Sequence, residues 1–219
     1  GPGMFFASQG TLKSVVAAKT ATLLAWAAAA HGDRVGGLLL AGEHTELRPK
    51  TGKRGALQLI HALIKNSDPL SGISRDWNPL QLNMALERLQ HSVRPGSMIF
   101  LISDFSDIDD STADLLTRLH HHNDLAAIRI IDPLEKSPPP AGYYGVTDGK
   151  NTRILNTRKD ASAYRDFFNQ QDEQLTRIMH KCRVPLLSIA TNDDVVHTLQ
   201  SAYGMRRTKT AQLQNRGAA

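Results

Sequence analysis

The chain has 219 residues, 41% of them hydrophobic and 21% charged, with a formal net charge of +5. That length and balance support a buried core and argue against wholesale disorder. No stretch of about 18 apolar residues occurs, and a lone Cys182 excludes an intrachain disulfide or a cysteine metal cluster, so a reducing cytoplasm is expected. The opening Gly1-Pro2-Gly3 carries no basic leader, and the modest positive charge permits an acidic partner without requiring nucleic acid.

In chain order, Thr11 is placed to cap a long helix reaching about Ala30, with Leu12, Val15, Val16, Leu23 and Trp26 as its apolar positions. Gly32-Asp33 stops it, Val35 to Leu40 reads as a strand, and Thr45 to Leu47 as its hairpin partner. Arg48, Lys50, Lys53 and Arg54 then form a basic, glycine-containing loop ahead of a helix from about Ala56 to Lys65. Residues 67 to 79 are turn-rich, and Pro79 suits the first turn of a helix through Leu82, Leu86 and Leu89.

The run from Ser97 to Asp107 is the strongest signal. Its Met-Ile-Phe-Leu-Ile core reads as a strand buried on both faces of a parallel sheet, ending in an acidic, hydroxyl-rich turn. In open α/β sheets ligands are held at that carboxyl edge. A helix from Asp109 to Asn123, a buried strand from Ala126 to Ile131 and a loop from Leu134 follow. The loop carries one strand of an edge hairpin completed by Thr152 to Leu155. A long helix (Ala161 to Lys181), a last strand (Val184 to Ile189) and a helix from about Asp194 to Tyr203 complete the pattern. Strands alternate with helices, which predicts one doubly wound, mostly parallel α/β domain over residues 4–203 and a polar tail over 204–219.

Four constellations invite chemistry. Asp104, Asp107, Asp109 and Asp110 read either as a metal- or partner-binding rim or as caps of the helix that follows, with capping favoured for Asp109 and Asp110. His120-His121-His122 cannot converge on one ion, because consecutive helical residues point about 100° apart. The basic loop lacks the spacing of a phosphate-binding P-loop and the interleaved aromatics of single-strand binders. It reads as a solvated face, with contact to an acidic protein partner as the lesser option and phosphate, polyanion or nucleic-acid binding as the rival; Arg206, Arg207 and Lys209 share that ambiguity. No Gly-x-Ser-x-Gly elbow accompanies Ser103 or Ser106, and Cys182 before a strand reads as a core thiol, so no enzyme is expected.

Five segments occur in an order that carries a resemblance: Gly32 to Leu39, the basic loop, Ser103-Asp104-Phe105, Asp132-Pro133 followed by Gly142-Tyr143-Tyr144, and Leu187 to Asp194. The chain resembles the bacterial family called domain of unknown function 58, whose core is similar to a von Willebrand factor A domain. The resemblance implies a Rossmann-like sheet and partnership with MoxR-type AAA+ ATPases. It also implies a metal-ion-dependent adhesion site for Mg²⁺, in which only Asp104 matches cleanly. Gly1 and Gly3 fall where two serine ligands belong, and Leu80, after Asn78 and Pro79, falls at a threonine. The first central strand would precede residue 1, leaving its slot empty or otherwise filled. The expectation is therefore a cytoplasmic interaction module without a cofactor, except a weak Mg²⁺ in the full-length protein. Asp104 is its metal residue, and Ser103, Ser106, Asp107 and Asn78 meet the ATPase or its client.

Overall fold

Alternation of side chains along the apolar strands decides the layering. In the computed structural model, which describes residues 2–8, 11–41, 43–66, 81–147 and 152–204, β3 (Met98–Ser103), β4 (Asp124–Ile131) and β7 (Leu186–Ala190) form a parallel sheet in the order β3-β4-β7. On one face, Ile99, Leu101, Leu125 and Ala127 pack with three helices. Leu86 comes from α3 (Gln81–Ser92), Leu115, Leu116 and Leu119 from α4 (Asp110–His120), and Leu175, Ile178 and Met179 from α6 (Thr157–Lys181). On the other face, Ile128, Ile130, Ile189, Phe100 and Ile102 meet Val16 of α1 (Lys13–Ala30) and Val195 and Leu199 of α7 (Val195–Tyr203). Helices therefore cover both faces, as two-sided apolar strands require. Each fully buried Leu or Ile contributes about 1.5–3 kcal/mol.

Two antiparallel hairpins stand apart from this sheet. β1 (Arg34–Ala41) pairs with β2 (Glu43–Thr51), and β5 (Tyr143–Thr147) with β6 (Thr152–Asn156). Among the described residues neither hairpin is hydrogen-bonded to β3-β4-β7, so the parallel sheet has three strands and the hairpins form two separate ribbons.

The basic segment is corrected. Arg48 to Thr51 complete β2, Gly52 makes the turn at φ 59°, and Lys53 and Arg54 open α2 (Lys53–Lys65). Charged residues on a ribbon exposed along that stretch leave no apolar alternation to read. Gly55 decides how closely this helix approaches the ribbon. A Cβ there would lie 2.3 Å from the Lys50 carbonyl oxygen and 2.8 Å from that of Val35, both backbone atoms that cannot swing away. Gly55→Ala is expected to destabilise the fold by about 1–3 kcal/mol, the usual cost of overpacking. An unchanged urea midpoint would contradict this account.

Smaller differences have local causes. Helix α1 starts at Lys13 behind Leu12, with no side-chain cap from Thr11. Its entry is fixed instead by the Lys13 N–H donating to the Phe6 carbonyl (3.1 Å). The loop expected after Asp132 opens with a short helix, α5 (Pro133–Lys136), because Asp132 and Glu135 close a capping box around Pro133. The Pro79 helix start, Leu80, Asn78 and the tail beyond Gly204 lie outside the described residues.

Candidate functional site at the carboxyl edge

The carboxyl ends of β3 and β4 bring charge into contact with α1. Lys13, at the first turn of that helix, is only 1% exposed. Its Nζ lies 2.5 Å from Glu135 Oε1 and 3.7 Å from Asp104 Oδ2. A buried ammonium is tolerated only when paired in this way. Gly3, in a 3₁₀ turn (Pro2–Phe5), completes this corner: a Cβ there would stand 2.7 Å from Asp104 Oδ2.

Beside this clamp, Asp132 is fully buried at the end of β4. Four donors converge on its carboxylate. They are the Ser8 N–H (2.9 Å), the Ser8 hydroxyl, the Leu134 N–H (3.0 Å) and the Thr191 hydroxyl (3.1 Å). Burial pushes this carboxyl up, but the bonds from Ser8, Leu134 and Thr191 outweigh it and hold the group below the usual carboxylate range. The Asp132 N–H in turn donates to Glu135 Oε2 (3.3 Å), which joins the two halves of the network. Tyr164 of α6 closes it from the side, its hydroxyl donating to the Leu134 carbonyl (2.9 Å). Burial, then the charges of Glu135 and Asp132, push that phenol up, so it stays neutral and donating.

The turn after β3 is strained where it leaves Asp104. Phe105 sits at φ 53°, a region bulky residues avoid, and is held there by its buried ring. Its N–H donates to the Ser103 hydroxyl (3.1 Å), whose own proton points to Asp104 Oδ1 (3.4 Å). Ser106 is exposed and donates to Asp107 (3.3 Å). Asp109 caps α4, accepting from the Thr112 N–H (2.8 Å) and from Asn83 Nδ2 of α3 (3.2 Å). The Thr112 backbone bond, ahead of the others, holds the Asp109 carboxyl below its ordinary range.

Thus Ser103, Asp104, Ser106 and Asp107 share one turn, while Asp109 is a cap and Asp110 lies in the first turn of α4. Arg48, Lys50, Lys53 and Arg54 sit at the other end of the molecule. Helix α1 runs 18 residues from Lys13 to Ala30, and β1 begins at Arg34 just beyond. That is roughly 27 Å of helix at 1.5 Å per residue. Cys182 is buried, its thiol donating to the Ala113 carbonyl (3.3 Å), in keeping with a core position.

The donors around Asp104 do not fit Mg²⁺. The Ser103 hydroxyl (3.4 Å) and Gly3, which has no side-chain oxygen, stand against its carboxylate, and the cation facing it is the Lys13 ammonium. Among the described residues no three His, Cys, Asp or Glu side chains converge, whereas Mg²⁺ demands near-octahedral oxygen ligands.

Lys13, Ser8, Glu135 and Tyr164 gave no sign of this role in the sequence. The one local signal was Asp132-Pro133 followed by Glu135, a capping box directly after a buried strand.

The profile of a family described as protein of unknown function DUF58 matches residues 2–177. The chain belongs to the DUF58 family. No curated protein matches it. Among solved structures it is similar to the conserved hypothetical protein BatB from Bacteroides thetaiotaomicron, at 15% identity and a TM-score of 0.57, covering 96% of this chain and 94% of that one. An aerotolerance-related membrane protein from Bacteroides fragilis NCTC 9343, carrying multiple mutations to serines, is similar at 12% identity and a TM-score of 0.52, over 91% and 90%. At such identities the likeness concerns fold alone. Among the described residues of this DUF58 chain, no helix is long and apolar enough to cross a membrane.

Proposed function

We propose that this DUF58 protein is a non-enzymatic interaction module of the von Willebrand A type, whose carboxyl edge docks a partner protein. A MoxR-type AAA+ ATPase, or that ATPase's client, is the partner class to which the family resemblance points. The reading places the module in the cytoplasm, where ATP is available to such a partner.

One observation carries the reading: the turn after β3 is strained, anchored from below and polar on its outside. Phe105 and Asp104 fix its backbone, while Ser106 and Asp110 face solvent beside Asp107. A rigid rim with exposed hydroxyl and carboxylate groups loses little entropy when a partner binds. The inner polar groups serve the fold instead: Ser8 is committed to Asp132, and Lys13 to Asp104 and Glu135. That favours docking over catalysis.

The test is retention of a purified MoxR-type ATPase by the immobilised full-length protein. Ser106→Arg with Asp107→Lys is expected to weaken retention at least about tenfold, because reversed charge at a contact is strongly disfavoured. Lys53→Ala, at the opposite pole, should leave it intact. Equal retention by all of these proteins would sink the reading.

A further inference from the structure

The opposite pole carries a gathering of like charge that the proposed docking edge does not use. Arg34, Pro49, Lys50, Thr51 and Arg54 line an open cleft of about 610 Å³. Arg34 and Thr51 are cross-strand partners at the end of the β1–β2 ribbon, and Lys50 is the partner of Val35. Arg54 arrives from α2, brought in by the close approach that Gly55 permits. The ribbon slips register between Val35 and Gly37, and at Gly36 a Cβ would lie 2.8 Å from the Leu47 carbonyl oxygen, a bulge immediately beside the cleft. Arg34 is oriented by donating from Nη2 to the Pro49 carbonyl (3.0 Å). Arg48 and Lys53, suggested by the sequence, do not line the cleft; Arg34, absent from that set, does.

Three elements of backbone design therefore bring three cations together without neutralising them. Among the described residues no carboxylate lies within 4.0 Å of Arg34, Lys50 or Arg54, and the first turn of α2 contains no acid. Crowded like charges repel, and an anion between them relieves the repulsion. Guanidinium forks match the geometry of phosphate oxygens, and the Thr51 hydroxyl adds a neutral donor. No aromatic residue lines the cleft for a base to stack on, and Pro49 is its one apolar wall.

We propose that this cleft binds an exposed anionic phosphate group, carried either by a soluble phosphate compound or by an anionic phospholipid headgroup that ends in a phosphomonoester. The site is independent of the docking edge, so the protein can hold a phosphate-bearing ligand at one pole and a protein at the other.

The full chain is titrated with inorganic phosphate and pyrophosphate in a calorimeter, and co-sedimented with phosphatidic acid or phosphatidylcholine vesicles. Saturable binding in either phosphate arm, weakened about tenfold by Arg34→Ala or Arg54→Ala, is the expected result, a typical loss for one charge-assisted contact. Lys159→Ala, exposed on α6 at the far pole, is expected to bind as the parent does. Binding of soluble phosphate identifies a soluble ligand, and binding confined to phosphatidic acid vesicles identifies a headgroup. No binding in any arm overturns the proposal. So does equal binding to phosphatidylcholine, equal loss with Lys159→Ala, or retention of duplex DNA by a protein that binds neither phosphate nor vesicles. All these substitutions are on exposed side chains, and an unchanged unfolding curve for each variant ties a loss to the site itself.

Discussion

Lys13→Met is expected to lower the unfolding free energy by about 3–5 kcal/mol, the usual cost of removing one partner from a buried ion pair. Methionine keeps most of the volume and the helix propensity, so packing and backbone change little. What changes is the charge. Asp104 and Glu135, both held at the Lys13 ammonium, would face the α1 terminus with no cation between them. Their side chains are 10% and 18% exposed, so water compensates only in part. The measurement is the urea midpoint at constant slope. Lys13→Met combined with Glu135→Gln should recover part of the loss, because the second change removes one of the stranded charges. A single-variant loss below about 1 kcal/mol would mean that the clamp is a surface pair, whose worth is of that order.

Asp132→Asn comes next, with an expected loss of about 3 kcal/mol at neutral pH. The Asp132 carboxylate accepts from Ser8 twice, from Leu134 and from Thr191. An asparagine offers one acceptor oxygen and turns an N–H₂ towards the remaining donors. Each stranded buried donor costs about 1–3 kcal/mol. The substitution also carries a pH signature. The folded-state pKa of Asp132 is depressed, so its contribution is fully present above the unfolded carboxyl pKa of about 3.9 and is lost as pH falls through the folded value. The parent should therefore lose stability below about pH 4, and Asp132→Asn should lose less over the same interval. Asp109, lowered in the same direction by its Thr112 bond, keeps some acid sensitivity in the variant. Parallel stability curves for parent and variant between pH 7 and pH 3 would refute this assignment.

Much of the scaffold was legible because its signals are local. The apolar run at Met98–Ser103 and the Ala-Ala-Ile-Arg-Ile-Ile run within Asp124–Ile131 read as two-sided strands, and both belong to the parallel sheet, the second as its central strand. Capping by Asp109 followed from an acid placed directly before a helix, and the structure adds its bonds to Thr112 and Asn83. The candidate site was only half legible. Asp104 stood out at a strand end, whereas its cation did not: a lysine in a helix's first turn looks like an ordinary solvated side chain. Glu135 lies 122 residues from Lys13 along the chain, and no spacing rule links such a pair.

The sequence by itself determined the alternation of strands and helices, the buried strands and the acidic turn at Asp104, because side-chain period, caps and breakers act over a few residues. Only the tertiary structure decided that Arg48 to Thr51 extend a strand, that Gly55 presses α2 onto the ribbon, and that Arg34 joins Lys50 and Arg54 in one cleft. It also decided that Lys13 is the cation set against Asp104 and Glu135 at the carboxyl edge. These outcomes depend on which elements pack together, and the cost of burying an unpaired charge selects the partner only after packing has excluded water.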